Sequence, residues 1–283
     1  MEENFMLLIW VAGLSLLAGV LVCLGCGAFA TPAWLWMLPV SFLGVGLGLL
    51  LVGFAFLMVM CKRVDQTKPQ EEDSKFYRWV ADLIIASALP VLRIHVKKTG
   101  LEKVPTEGRF MLVCNHCNNS DPIILLNCLR KSQLAFISKR ENSTMFVIGP
   151  MMHKLQCQLI NRENDREALK TILKCIQILK EDKASIGAFP EGGILTEDGK
   201  LHHFRPGVFK IAQKANVPIV VCTLKNTKDV IHNMARFKPS YVEMDVLEVI
   251  PAEELKNVNT TVIAERCHAI MAANLGADLV AED

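Results

Sequence analysis

Between Phe5 and Cys61 the chain carries no Asp, Glu, Lys or Arg. A soluble domain does not leave such a stretch uncharged. The stretch is long enough for two membrane crossings, each of which needs roughly 20 residues. Thr31-Pro32-Ala33 divides it, so the pattern predicts two transmembrane helices, over residues 5–30 and 34–60, in a tight hairpin. Pro39 falls near the start of the second span, where a proline disturbs a helix least. Gly13, Ala18 and Gly19 in the first span, and Gly44, Gly46, Gly48 and Gly53 in the second, are small enough to let two helices approach closely in lipid. Glycine is also simply common in membrane helices. A signal peptide would need a positive start and a shorter apolar core, whereas this chain opens Met-Glu-Glu-Asn.

Residues 64–75 are polar and read as a linker; residues 76–92 are apolar, too short for a span, and carry Arg78 and Asp82. An interfacial helix fits this pattern, with an ordinary buried helix as the alternative. Arg93, Lys97 and Lys98 follow and would face anionic head groups if the helix lies on the bilayer. Beyond this point apolar runs and helical stripes alternate. Strands are expected over residues 94–98, 110–114, 134–138, 156–160, 185–189, 219–224 and 242–249. Helices are expected over 122–130, 144–154, 166–180, 206–215 and 252–274. Asp165 is the expected cap of the third helix, whose apolar stripe is Ala168, Ile172, Cys175, Ile176 and Leu179. The alternation predicts an α/β domain, a mixed sheet surrounded by helices. Three parts follow: a transmembrane helical hairpin (1–63), a linker with an interfacial helix (64–93), and the α/β domain (94–283).

Charge adds direction. Lys62 and Arg63 directly follow the second span, and the positive-inside rule then places residues 62–283 in the cytoplasm beneath the cell membrane. A net charge of +2, with no long basic block, gives no reason to expect nucleic acid. Ten cysteines in a cytoplasmic setting do not argue for disulfides. Cys114 and Cys117 bracket His116, but no second Cys-x-x-Cys or His pair follows, so no metal site is expected.

Four blocks carry candidate chemistry. After the first buried strand comes Asn115-His-Cys-Asn-Asn-Ser-Asp121. A His with a carboxylate in reach can take a proton from a hydroxyl, the carboxylate fixing the tautomer. Equally, Asp121 before Pro122 could be only a helix cap. Arg162 ends an apolar strand and has the planar fork that suits a phosphate, or it forms an ion pair with Glu163 or Asp165. Phe189-Pro-Glu191-Gly192-Gly193 follows another strand and puts a carboxylate beside glycines whose backbone a ligand can approach; an ordinary turn looks the same. Val217-Pro-Ile219 opens a strand and reads as structural.

In this order and spacing the four blocks resemble those of the glycerolipid acyltransferases, most closely the bacterial-type lysophosphatidate (1-acylglycerol-3-phosphate) acyltransferases. The resemblance runs from about residue 96 to 249 and includes Thr99-Gly-Leu-Glu-Lys-Val-Pro105 and Ser138-Lys-Arg-Glu141. It implies acyl transfer from a thioester, acyl-CoA or acyl-carrier protein, to the free hydroxyl of a membrane lysophospholipid, with no metal or cofactor. It implies His116 as general base, Asp121 as its orienting partner, and Asn115, Arg162, Glu191 and Gly192 as substrate-positioning residues. The sequence departs from the family at one point. The usual continuation, Phe-Pro-Glu-Gly-Thr-Arg, supplies an arginine for the acceptor phosphate, and here those last two positions are Gly193 and Ile194. Lys139, Arg140, Lys200 or Arg205 could compensate, or the acceptor is a different lysolipid. A lipid-binding or scaffolding protein without catalysis is the reading from another class.

Overall fold

The computed structural model describes residues 6–194 and 198–281. Helices α1 (Met6–Gly25) and α2 (Trp34–Lys62) are both long and apolar enough to cross a membrane. Phe5, where the first span was expected to begin, lies outside the described residues. A Cβ on Gly19 would lie 3.2 Å from Leu38, and one on Gly46 would lie 3.2 Å from Ser15 Oγ. The matched positions run in opposite directions along the chain, so α1 and α2 form an antiparallel hairpin. Gly13, Gly44, Gly48 and Gly53 meet nothing within 4 Å, so only Gly19 and Gly46 serve the close approach. Gly19→Leu is therefore expected to destabilise the hairpin by about 1–3 kcal/mol through overpacking. Gly13→Leu should leave it unchanged, and thermal unfolding of the detergent-solubilised protein compares the two.

Helix α3 (Lys75–Val91) begins at Ser74, whose side chain accepts from Tyr77 N. It buries Val80, Ala81, Ala86 and Leu89 and leaves Phe76 and Trp79 exposed. Arg78 turns inward, bonding Asp73 at 2.7 Å and the Leu134 carbonyl at 3.0 Å. Tyr77 Oη donates to the Met60 carbonyl. Met60 and Cys61 pack with Val80, Met151 and Leu155, which joins the end of α2 to the domain. Arg93 and Lys97 have partners in the domain: Arg93 donates to the Phe237 carbonyl and Lys97 faces Glu243.

All seven expected strands are present, in the order β1-β7-β6-β2-β5-β3-β4. They are β1 (Ile94–Thr99), β2 (Met111–Val113), β3 (Leu134–Lys139), β4 (Gln158–Ile160), β5 (Ser185–Ala188), β6 (Ile219–Lys225) and β7 (Ser240–Ile250). Neighbours pair in parallel except β6 and β7, which are antiparallel, so the sheet is mixed. Alternation along β2 splits the core. Met111 and Val113 face a cluster with Cys175, Ile178 and Phe209. Phe110, Leu112 and Cys114 face a second cluster with Leu89, Ile124 and Leu125. Apolar on both faces, these strands have the continuous hydrophobic runs of a buried parallel sheet.

The helices depart from expectation at their ends. The run expected over 144–154 is a 3₁₀ turn, Arg140–Thr144, followed by α5 (Ile148–Lys154); a Cβ on Gly149 would overlap the Ser143 backbone, so the chain turns there instead of continuing as one helix. Helix α4 is Asp121–Cys128, and α6 is Asp165–Lys180. The cap of α6 is Asn164, not Asp165: its side chain accepts from Arg166 N and Glu167 N, while Asp165 takes the first helical position, where a carboxylate suits the positive helix end. Helix α7 is Lys210–Ala215, and the run expected over 252–274 is a 3₁₀ turn and then α9 (Thr260–Leu275), capped by Asn259. Helix α8 (Val230–Ala235), unexpected from the pattern, buries only Val230.

Candidate active site

Strands β2 and β5 are neighbours, yet their connections leave for opposite faces. The chain after β2 enters α4, which packs with the Phe110 cluster. The chain after β5 leads to α7, which packs with the Met111 cluster. A crevice opens where adjacent strands diverge in this way, at the carboxyl ends of the strands. His116 follows β2 and Glu191 follows β5, so both stand at this crevice.

The Asn-His-Cys-Asn-Asn-Ser-Asp loop is held by its own polar side chains. Asn115 bridges to β6, its amide donating to the Leu224 carbonyl and its oxygen accepting from Leu224 N. Asn118 accepts from Ser120 N and donates to the Lys228 carbonyl. Asp121 is fully buried. Its Oδ2 accepts from Cys117 N and Asn118 N at 2.8 Å and stands 2.9 Å from His116 Nδ1. The helix begins after Ser120, and no side chain caps it. Asp121 therefore serves the loop and the imidazole rather than the helix end. Its Oδ1 has no hydrogen-bond partner.

The His116 ring stacks on Phe189, centroids 4.0 Å apart, and Phe189 stacks on Phe136. A Cβ on Gly187 would overlap the Phe136 ring, so that glycine makes room for the stack. Neither Phe136 nor Gly187 stood out in the sequence. The available signal was a glycine inside an apolar strand, which marks a close approach. Glu191, 2 % exposed, accepts from His116 N at 2.8 Å through one oxygen and from His202 N at 3.2 Å through the other. Burial pushes its carboxyl up to about 7, against the pull of those two N–H bonds. Burial and the Asp121 charge push the Cys117 thiol up to about 12, which leaves it a poor nucleophile.

The structure brings Asn115, His116, Asp121, Glu191 and Gly192 together around the crevice, in different roles, with Arg162 across the glycine turn. Asn115 and Glu191 use their polar atoms inside the fold and present none to a substrate. His116 and Asp121 form the pair itself. Gly192 and the neighbouring Gly193 have positive φ, 86° and 144°. Arg162, beyond β4, lies across this turn: a Cβ on Gly193 would fall 2.6 Å from its Nη1. Among the described residues Arg162 makes no ion pair with Glu163 or Asp165. Asn115 and Cys117 also line a cavity of about 370 Å³, together with Lys225, Thr227, Lys228 and Ser240 among others. The Thr227 hydroxyl is buried there without a partner.

With Asp121 holding Nδ1, the other imidazole nitrogen, Nε2, has no protein partner among the described residues. That is the arrangement of a base set to receive a proton.

Known proteins agree with this layout. The acyltransferase family model matches residues 95–225, from β1 to the end of β6. A Mycoplasma pneumoniae protein, "Probable 1-acyl-sn-glycerol-3-phosphate acyltransferase", is 28 % identical over 62 % of this chain and 65 % of its own. The chloroplastic 1-acyl-sn-glycerol-3-phosphate acyltransferase LPAT1 of Arabidopsis thaliana is 33 % identical over 54 % of this chain and 42 % of its own. The chain thus spans less than two thirds of the length of either relative. The crystal structure of the 1-acyl-sn-glycerophosphate (LPA) acyltransferase PlsC from Thermotoga maritima superposes with a TM-score of 0.60 at 21 % identity, covering 80 % of this chain and 89 % of that one, a likeness of fold. Family match, motif order and fold all point the same way: over residues 95–225 the chain resembles the acyltransferases, among them proteins named 1-acyl-sn-glycerol-3-phosphate acyltransferase.

Proposed function

We propose that this protein moves an acyl group from a thioester donor to the free hydroxyl of 1-acylglycerol-3-phosphate, yielding phosphatidic acid for phospholipid synthesis. The observation that carries the reading is the His116–Asp121 pair, its carboxylate buried and Nε2 without a partner among the described residues, near the glycine turn that Arg162 also reaches. His116 Nε2 accepts the hydroxyl proton as the oxygen attacks the thioester carbonyl. The carbon–sulfur bond breaks, the ester forms, and the departing sulfur takes the proton from the imidazolium. Asp121 holds Nδ1–H throughout and stabilises the positive ring. A thioester is already activated, so the step needs no covalent intermediate. Positioning two substrates together supplies much of the remaining acceleration.

In this reading α1 and α2 span the membrane twice and the α/β domain lies on the cytoplasmic side. Phe76 and Trp79 on α3, with Met145, Phe146 and Ile148 before and in α5, are exposed beside the residues that pack on the end of α2. They are assigned to the lipid interface, so that the lysolipid keeps its acyl chain in the bilayer while its head group reaches the crevice. The donor, acyl-CoA or acyl-carrier protein, comes from water, and its polar carrier arm is assigned to the cavity beside Cys117.

The direct test is a panel of lysolipid acceptors with one labelled acyl-CoA, using the full chain in phospholipid–detergent micelles. Turnover of lysophosphatidate to phosphatidate well above that of other acceptors is expected. Preferential turnover of another lysolipid would move the assignment to a different acceptor, the reading that Gly193-Ile194 suggests. Transfer to no acceptor would sink the proposal.

A further inference from the structure

Two guanidinium groups meet at one turn. Arg205 rests on Gly192: a Cβ there would come 2.6 Å from its Nε. Arg162 rests on Gly193, and a Cβ there would also come within 3.7 Å of Lys139 Cε. The chain is built to bring Arg205 back. Its backbone N–H donates to the Pro190 carbonyl at 2.8 Å, and His202 N donates to Glu191, so residues 202–205 dock beneath the turn that also holds His116. Neither guanidinium has a carboxylate within ion-pair distance among the described residues. Arg140, by contrast, pairs with Glu167. Partial burial and then the Arg205 charge push Arg162 below its ordinary value, against the opposing pull of the Glu141 carboxylate, as expected where a like charge is held close. A protein does not keep two such groups together for their own stability. An anion with several oxygens between them would offset the repulsion and engage both forks.

We infer that Arg205 is the second phosphate ligand of the acceptor site, and that Arg162 and Arg205 together select a phosphate monoester over a phosphodiester. This rests on the reading of the crevice as an acyl-acceptor site. A monoester has three free oxygens and approaches two negative charges near neutral pH, enough for two guanidinium forks. A diester has two free oxygens and one charge. Ile194 sits where the family's arginine stands, and Arg205 reaches the same turn from 11 residues further along the chain. Gly193 is part of the arrangement, because the threonine of the family pattern would drive into Arg162. The acceptor class thus remains the lysolipid with a terminal phosphate, despite the altered motif.

Two measurements on the full-length protein in micelles test this. The first is independent of activity: sn-glycerol 3-phosphate is titrated against the wild type, Arg205→Met and Arg205→Lys by thermal unfolding. The wild type should gain unfolding temperature, Arg205→Met should lose most of that gain, and Arg205→Lys should keep part of it. No gain in the wild type, or an undiminished gain in Arg205→Met, overturns the inference. The second is steady-state kinetics. With lysophosphatidate, Arg205→Met should raise KM about ten- to hundredfold, the loss of one or two charge-assisted hydrogen bonds, with kcat nearly unchanged. Its KM for a lysophosphodiester such as lysophosphatidylglycerol should hardly move. Equal effects on both acceptors would overturn the inference while leaving acyl transfer itself established. Absence of transfer in the wild type would overturn the function but not the phosphate site, which the titration reads separately.

Discussion

Acyl transfer by the His116→Ala protein is expected to fall by about 10²–10⁴-fold or more with the fold intact, since general base catalysis alone supplies that factor. The His116 ring makes one polar contact, to Asp121, and stacks on Phe189, so its loss removes little that the fold depends on. Asp121→Asn is the sharper experiment. An asparagine oxygen in the place of Oδ2 can still accept from Cys117 N and Asn118 N. Its amide would sit at Oδ1, which has no partner to lose. The loop should therefore stay closed while the charge that favours the imidazolium disappears. Where such a carboxylate–imidazole pair has been dissected, the loss reaches about 10⁴-fold. Asp121→Ala should instead leave two buried N–H groups unpaired, each costing roughly 1–3 kcal/mol, and unfold at lower temperature. Full activity in a folded Asp121→Asn protein would remove the carboxylate from the mechanism.

Glu191→Gln is expected to damage the site by about 10²-fold without touching any substrate. Gln can accept at one oxygen only, so either His116 N or His202 N loses its partner. A shift of about 1 Å in a catalytic group costs on that order. The same residue predicts a pH signature. Its carboxyl is raised from 4.5 to about 7, so between those values the folded protein holds a proton that the unfolded chain releases. Unfolding free energy must then fall as pH rises through that window and level off above it. At about 1.4 kcal/mol per unit, the fall is at most roughly 3 kcal/mol. Glu191→Gln lacks this component, so the stability difference between wild type and variant should be largest near pH 5 and shrink by pH 8. Activity runs the other way, because only the ionised carboxylate offers both acceptors, and should rise in the wild type as pH passes about 7. A stability difference constant across that range would refute the account.

Much of this was visible in the chain itself. The uncharged 5–61 stretch announced two long apolar helices, and α1 and α2 are both long and apolar enough to cross a membrane. Strand period and continuous apolar runs located all seven strands within a few residues, since burial on both faces leaves that mark directly on sequence. The His116–Asp121 pair and Arg162 stood out through their resemblance to known motifs, each beside a plainer reading, and the fold then puts His116 Nδ1 2.9 Å from Asp121 Oδ2.

What the sequence left open was decided by contacts between distant segments. Asn115 and Glu191 looked like substrate ligands, yet they bond Leu224 and the backbone of His116 and His202. Their partners lie on strands and loops that only the sheet order brings together. The cap of α6 fell on Asn164 rather than its neighbour because capping depends on one backbone dihedral, which composition does not report. Four cations stood as equal candidates to replace the missing arginine, and the fold brings two of them, Arg205 and Lys139, to the Gly192-Gly193 turn, with residues 202–205 tied back to Pro190 and Glu191. Apolar patterning thus determined the two long apolar helices and the strands. The sheet's crossing connections decided which polar side chains hold the crevice together and which are left facing it, because that choice depends on neighbours far apart in the chain.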